Sequence, residues 1–173
     1  MCGIVCLWNT GDEALAATMI RKIAHRGPDA TEVVRGPDGV IMAHARLAII
    51  GTDDGRQPIH QQDDMLVVNG EIYNHRDLRA ILGPDLFRTA SDSETILHLA
   101  RTNAPRWIAR LDGMFAFVLA TPGRLIAARD PLGIKPLYIA RIGQGKTPAT
   151  QSLALAALDL TQVRPIGPGC VFD

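Results

Sequence analysis

The chain has 173 residues, with 18 basic and 18 acidic side chains, so its formal net charge is zero. It is 47% hydrophobic and 21% charged, which fits a globular protein and not a disordered one. The neutral balance argues against a broad nucleic-acid or membrane surface. One domain over residues 1–173 is expected, large enough to bury a core without disulfide or metal staples.

Cys2, Cys6 and Cys170 make an odd count without framework spacing, as in a reducing compartment. No apolar run approaches the ~18–20 residues of a membrane span. No basic segment precedes an apolar one at the N-terminus, so no signal peptide is visible and the expected location is the cytoplasm.

In chain order, Ile4–Trp8 reads as a short strand. Leu15, Met19 and Ile23 recur at helical spacing behind a capping Asp12. Val40–Ile50 is β-rich, Met65–Val68 is an apolar strand, and Asn74–Leu82 is helical. Ser91-Asp92-Ser93-Glu94 has the form of a capping box opening a helix through Ile96, Leu97 and Ala100. Met114–Ala120 and Leu125–Arg129 flank Pro122-Gly123 as a hairpin. Leu137–Arg141 reads as a strand and Ser152–Leu158 as a short helix. Strands in adjacent runs, separated by helices, predict an α+β fold with antiparallel sheets.

Cys2 has two readings. As part of a strand it lies roughly 13 Å from Cys6, at ~3.3 Å per residue, too far for a disulfide or a shared ion. The plain reading is then two buried thiols. The sharper one follows from position. Once Met1 is removed, Cys2 carries a thiol and a free α-amine on one carbon, a nucleophile with its own base.

Asn69-Gly70 is equally double. It is a strong hairpin signal, but Glu71-Ile72-Tyr73-Asn74-His75 leads into a helical pattern rather than a partner strand. It also suits an oxyanion hole, with the Asn69 amide and the Gly70 N–H facing a developing charge. Arg46 and Asp92 match the carboxylate and ammonium of an α-amino acid, or are simply a surface arginine and a first-turn aspartate. The histidines, His25, His44, His60, His75 and His98, show no ligand spacing, so no metal site is expected. A Cys2–His dyad has no support from spacing. No Gly-rich phosphate loop occurs, and Gly143-Gln144-Gly145-Lys146 reads as a turn.

Six ordered blocks resemble class II glutamine amidotransferase domains. They are Met1-Cys2-Gly3-Ile4-Val5, His25-Arg26-Gly27-Pro28-Asp29, Ala43-His44-Ala45-Arg46-Leu47-Ala48-Ile49-Ile50, Asn69-Gly70-Glu71-Ile72-Tyr73-Asn74, Ser91-Asp92-Ser93-Glu94, and the run from Arg129 to Tyr138. The second and fourth blocks are similar to the glutaminase domain of glutamine-dependent asparagine synthetases. The resemblance implies an N-terminal nucleophile hydrolase fold, a four-layer αββα sandwich of two stacked antiparallel sheets. It implies that Cys2 attacks the side-chain amide of L-glutamine, passing through a thioester to glutamate and ammonia. Asn69 and Gly70 would hold the oxyanion, and Arg46 the α-carboxylate. Leu47, Ile49 and Ile50 would shape the pocket, Glu71 and Asp92 would lie near the α-amine, and Arg26 would close the site over the substrate.

The sequence departs from that family in places. Cys6 stands where Gly is usual, Ala45 where a more polar residue is common, and Ala149-Thr150-Gln151-Ser152 matches Ala-Ser-Glu only loosely. The Ser-Gly-Gly-x-Asp-Ser loop of the synthetase domain does not occur. The chain itself is then expected to use no cofactor, ATP and Mg belonging to a separate ammonia-accepting synthetase. The rival readings are another acceptor, such as an amino-sugar synthase, and a silent glutamine-binding or regulatory module.

Overall fold

Two antiparallel sheets lie face to face in the computed structural model, which describes residues 1–9, 12–142, 145–149 and 163–172. The elements run β1 (Gly3–Leu7), α1 (Glu13–Lys22), β2 (Ala30–Arg35), β3 (Ile41–Arg46), β4 (Ile59–Gln61), β5 (Asp64–Ile72) and α2 (His75–Leu82). They continue with α3 (Glu94–Arg101), β6 (Gly113–Thr121), β7 (Arg124–Arg129), β8 (Tyr138–Ile142), β9 (Gly145–Ala149), β10 (Arg164–Pro165) and β11 (Val171–Phe172). The first sheet has the order β10-β8-β9-β1-β3-β2, and the second β11-β7-β6-β5-β4.

Period-2 alternation assigns every strand residue to a layer. On β1, Val5 and Leu7 face α1, where they meet Ala16, Met19 and Ile20. Ile4 and Cys6 face the second sheet, meeting Met42, Met65, Val67 and Val118. The second sheet turns Leu66, Val68, Ile72, Phe115 and Phe117 outward against Leu78, Ile96 and Leu99 of α2 and α3. The layers are therefore helix, sheet, sheet, helix, as expected.

Local signals explain the element ends. The Asp12 side chain accepts from Leu15 N–H at 2.9 Å, and Arg21 and Lys22 close α1 near its negative dipole end. Gly123, at φ +74, makes the β6–β7 turn. The helix expected over Ser152–Leu158 lies outside the described residues, as do the first two residues of the Gly143–Lys146 turn.

Three expectations are corrected. The β-rich run Val40–Ile50 is a strand only over Ile41–Arg46, and the chain then leaves the sheet. The strand expected over Met65–Val68 runs on to Ile72, so Asn69-Gly70 does not stand at a strand end. It lies inside the nine-residue β5, where Asn69 pairs with Ala116 and Gly70 with Phe115. A Cβ at Gly70 would strike Met114 O and lie 2.6 Å from Phe115 Cα, so the missing side chain serves close strand approach. The capping box does not form. Helix α3 begins at Glu94 behind Ser93, whose side chain makes no cap. The Glu94 carboxylate instead accepts from Arg88 N–H and Thr89 N–H, both at 2.9 Å.

Candidate active site

The alternation that builds the apolar layer between the sheets also builds the site. Two residues before Ile4, Cys2 falls on the same inward face. Met42 is followed on that face by His44 and Arg46, Met65 and Val67 by Asn69 and Glu71, and Val118 and Ala116 are preceded by Met114. The apolar layer therefore becomes polar at one end. There the residues line a cavity of about 230 Å³, together with Leu47, Ile49, Ile50, Gly70 and Asp92. A larger cavity of about 910 Å³, lined by residues such as Trp107, Leu119 and Ile126, lies on the outer face of the second sheet and holds none of these side chains.

Cys2 is half-buried. Its Sγ lies 3.4 Å from Leu47 N and 3.5 Å from Leu47 O, so a thiol can donate to the carbonyl and a thiolate can accept from the N–H. Arg26 is not a lid. It is 8% exposed, does not line the cavity, and donates from Nε to Cys2 O at 2.9 Å. Gly27 allows this, because a Cβ there would collide with the Ala45 carbonyl. Asp29 accepts from Ala48 N–H at 2.8 Å and so orients the Leu47–Ile50 turn. The His-Arg-Gly-Pro-Asp block thus supports Cys2 and its neighbouring loop from behind.

The edge of β5 shows why Asn69-Gly70 matters. Main-chain N–H groups of alternate residues point the same way from a strand. Val68 N–H is taken by Gln57 Oε1 at 2.6 Å and Ile72 N–H by Asp92 Oδ2 at 2.6 Å. Gly70 N–H, between them, points to the same edge, where its residue lines the cavity. Phe115, opposite Gly70, sends its carbonyl the other way, to Asp130 N–H at 2.8 Å. The Asn69 side chain is 1% exposed, and neither amide atom has a hydrogen-bond partner. Each such buried, unpaired group typically costs ~1–3 kcal/mol. That cost is tolerable at a site that waits for a ligand.

Arg46 donates to Gly51 O at 2.6 Å and Thr52 O at 3.1 Å. Those bonds engage two of the five guanidinium N–H groups. Burial pushes the Asp92 carboxyl above its ordinary value, opposed by the Ile72 N–H bond and His75. An ammonium in the cavity would favour its charged form. Glu71 is half-buried in the wall.

Sequence reasoning assigned no role to His44, Gln57, Met114 or Lys135. Lys135 is 5% exposed and lines the cavity, delivered by the loop after β7. Fully buried Asp130 accepts from Ile134 N–H at 2.9 Å and Lys135 N–H at 3.0 Å, and Arg129 Nε donates to Lys135 O at 2.7 Å. The Arg129–Tyr138 block was the signal for it. Burial pushes the His44 imidazole down to about 4, with Arg46 adding to the shift and the Val68 main chain opposing it. All three cysteines are free. Burial holds the Cys6 thiol far above its ordinary value, so Cys6 is packing where Cys2 faces the cavity. Ala45, the other departure, faces the α1 layer, where an apolar residue fits.

A thiol at the second residue, set at one end of two stacked sheets beside an unclaimed strand N–H, is the arrangement of an N-terminal nucleophile hydrolase. The family model described as "Glutamine amidotransferase domain" matches residues 1–165, and the chain belongs to that family, in its class II form. It is 38% identical over 185 residues to a probable asparagine synthetase [glutamine-hydrolyzing] of Dictyostelium discoideum, covering 100% of this chain and 33% of that protein. It is 43% identical over 148 residues to asparagine synthetase [glutamine-hydrolyzing] 2 of Oryza sativa subsp. japonica, covering 80% and 25%. The chain therefore spans a third or less of these relatives. A solved glutamine phosphoribosylpyrophosphate amidotransferase from B. subtilis shares the fold, with a TM-score of 0.80 at 22% identity over 98% of this chain and 46% of that one. No helix among the described residues is long and apolar enough to cross a membrane.

Proposed function

We propose that this domain hydrolyses L-glutamine to L-glutamate and ammonia, and supplies the ammonia to an asparagine-synthetase-like, ATP-dependent acceptor. One observation carries the chemistry: Cys2, Asn69 and Gly70 line one small cavity, and the Asn69 amide there has no partner. With Met1 removed, the α-amine of Cys2 takes the thiol proton, and sulfur attacks the side-chain carbonyl carbon of glutamine. The Asn69 amide and Gly70 N–H donate to the oxyanion. As the tetrahedral species collapses, the carbon–nitrogen bond breaks and the departing nitrogen takes the proton back as ammonia. Water then cleaves the thioester, releasing glutamate and restoring the thiol.

Arg46 offers its remaining donors to the substrate α-carboxylate, while Asp92 and Glu71 receive the α-ammonium. The relatives named as synthetases support the acceptor, and ATP and Mg are assigned to that enzyme. Glutamate release by the Met1-free chain should disappear in Cys2→Ala. Equal rates in the two proteins overturn the mechanism. Intact mass is the companion measurement, because an active enzyme that retains Met1 rules out the amine as base. Faster release on adding an asparagine-synthetase-type acceptor supports the coupling, and release indifferent to it argues for another acceptor.

A further inference from the structure

His44 is 1% exposed, and neither of its ring nitrogens has a hydrogen-bond partner. It lies on β3, on the face shared by Met42 and Arg46, and the Val68 main chain across the sheet gap is the group its imidazole addresses, as a loose hydrogen bond outside strict geometry. The next residue, Asn69, is equally buried, with both amide atoms unpaired. The two side chains line one cavity with Cys2. Elsewhere the same layer is filled by Ile4, Met42, Val67 and Val118. Packing alone would favour an apolar residue at position 44.

We propose that His44 is a positioning residue for glutamine hydrolysis, its neutral imidazole turning its one N–H from the Val68 main chain to Asn69 Oδ1 as substrate binds and so aiming the Asn69 Nδ2 donors at the oxyanion. The proposal rests on the reading that Cys2 attacks a glutamine amide. An asparagine side chain presents a donor and an acceptor of nearly equal shape, so its donor direction is defined only when its oxygen is held. A neutral imidazole holds that oxygen with one N–H. A charged one would set a second cation beside Arg46. The charged or titratable groups facing this space are Cys2 just before β1, Arg46 on the same strand as His44, Glu71 from β5, and Asp92 and Lys135 from flanking loops. Burial disfavours the charged ring.

The test compares kcat and KM for glutamine in the Met1-free wild type, His44→Phe and His44→Gln. His44→Phe keeps ring volume without nitrogens, and kcat should fall by about 10- to 100-fold with KM little changed. His44→Gln restores an N–H and should recover most of kcat. Both variants should still label stoichiometrically at Cys2 with a glutamine-like diazoketone. Equal kcat losses in the two variants, or a raised KM with kcat preserved, overturn the proposal.

One readout needs no variant. Nitrogen-15 histidine spectra should show a neutral His44 whose ring N–H becomes hydrogen-bonded when the acyl-enzyme forms. An imidazolium, or a ring unchanged on acylation, overturns the proposal. A wild-type chain that neither releases glutamate nor labels at Cys2 overturns the glutaminase reading, and this proposal with it. An active wild type with an unaffected His44→Phe overturns this proposal alone.

Discussion

The guanidinium of Arg26 donates from Nε to the main-chain carbonyl of Cys2 at 2.9 Å, 24 residues away in sequence. Once Met1 is removed, Cys2 would have only one chain neighbour to fix it, and this bond supplies a second restraint. Arg26→Met should lower kcat by about 10- to 100-fold, as expected for a misplaced nucleophile. KM should change less, because Arg26 does not line the cavity. Steady-state kinetics decides. A raised KM with unchanged kcat would return Arg26 to the substrate side.

Asn69→Ala should separate activity from stability. Loss of one oxyanion donor typically costs ~10²–10³ in rate. The same substitution deletes two buried polar atoms without partners. The urea midpoint should therefore hold or rise while glutamate release collapses.

Gly70→Ala should do both kinds of damage. The added methyl collides with Met114 O and crowds Phe115 Cα, so β6 must shift against β5. Overpacking of this kind costs ~1–3 kcal/mol. Chemical denaturation should show that loss, and kcat should fall as the Gly70 N–H moves.

Asp130→Ala removes a fully buried carboxylate that accepts from Ile134 and Lys135 N–H. Leaving those donors unpaired should cost about 2–3 kcal/mol. For a chain of this size that lowers Tm by roughly 4–12 °C, measurable by calorimetry. Lys135 would no longer be held at the cavity, so activity should fall as well.

The His44 imidazole also predicts a pH dependence of stability. Its folded pKa, about 4, lies below the ordinary 6.5, so between those values the unfolded chain binds more protons. The contribution is fully present above pH ~6.5 and is lost as pH falls toward 4, amounting to about 3 kcal/mol. Unfolding free energies at pH 7 and 4.5 should differ less in His44→Phe than in the wild type. Parallel pH slopes would show that His44 does not titrate on unfolding.

Much of this was legible in the chain itself. The period-2 pattern of Ile4/Cys6, Met42/His44 and Met65/Val67 is local, and it determines which side chains share a face. The spacing of Leu15, Met19 and Ile23 marked α1, and Pro122-Gly123 marked a hairpin. The failures share one cause. The strand expected to stop at Val68 is carried on through Asn69-Gly70 to Ile72 by pairing with β6, over 40 residues away. At Ser91–Glu94 the capping preference lost to competing donors, Ile72 N–H for Asp92 and the Arg88–Thr89 main chain for Glu94.

The sequence by itself determined the thiol at position 2, the ordered blocks around it and the two-sheet class, because these rest on residue chemistry and short periodicities. Only the tertiary structure decided that Arg26 stands behind Cys2, and that Lys135 and His44 enter the cavity. It also decided that Gly70 presents an unclaimed N–H between two that are taken. Those outcomes depend on which distant donor meets which acceptor once the sheets stack, and no local pattern encodes that competition.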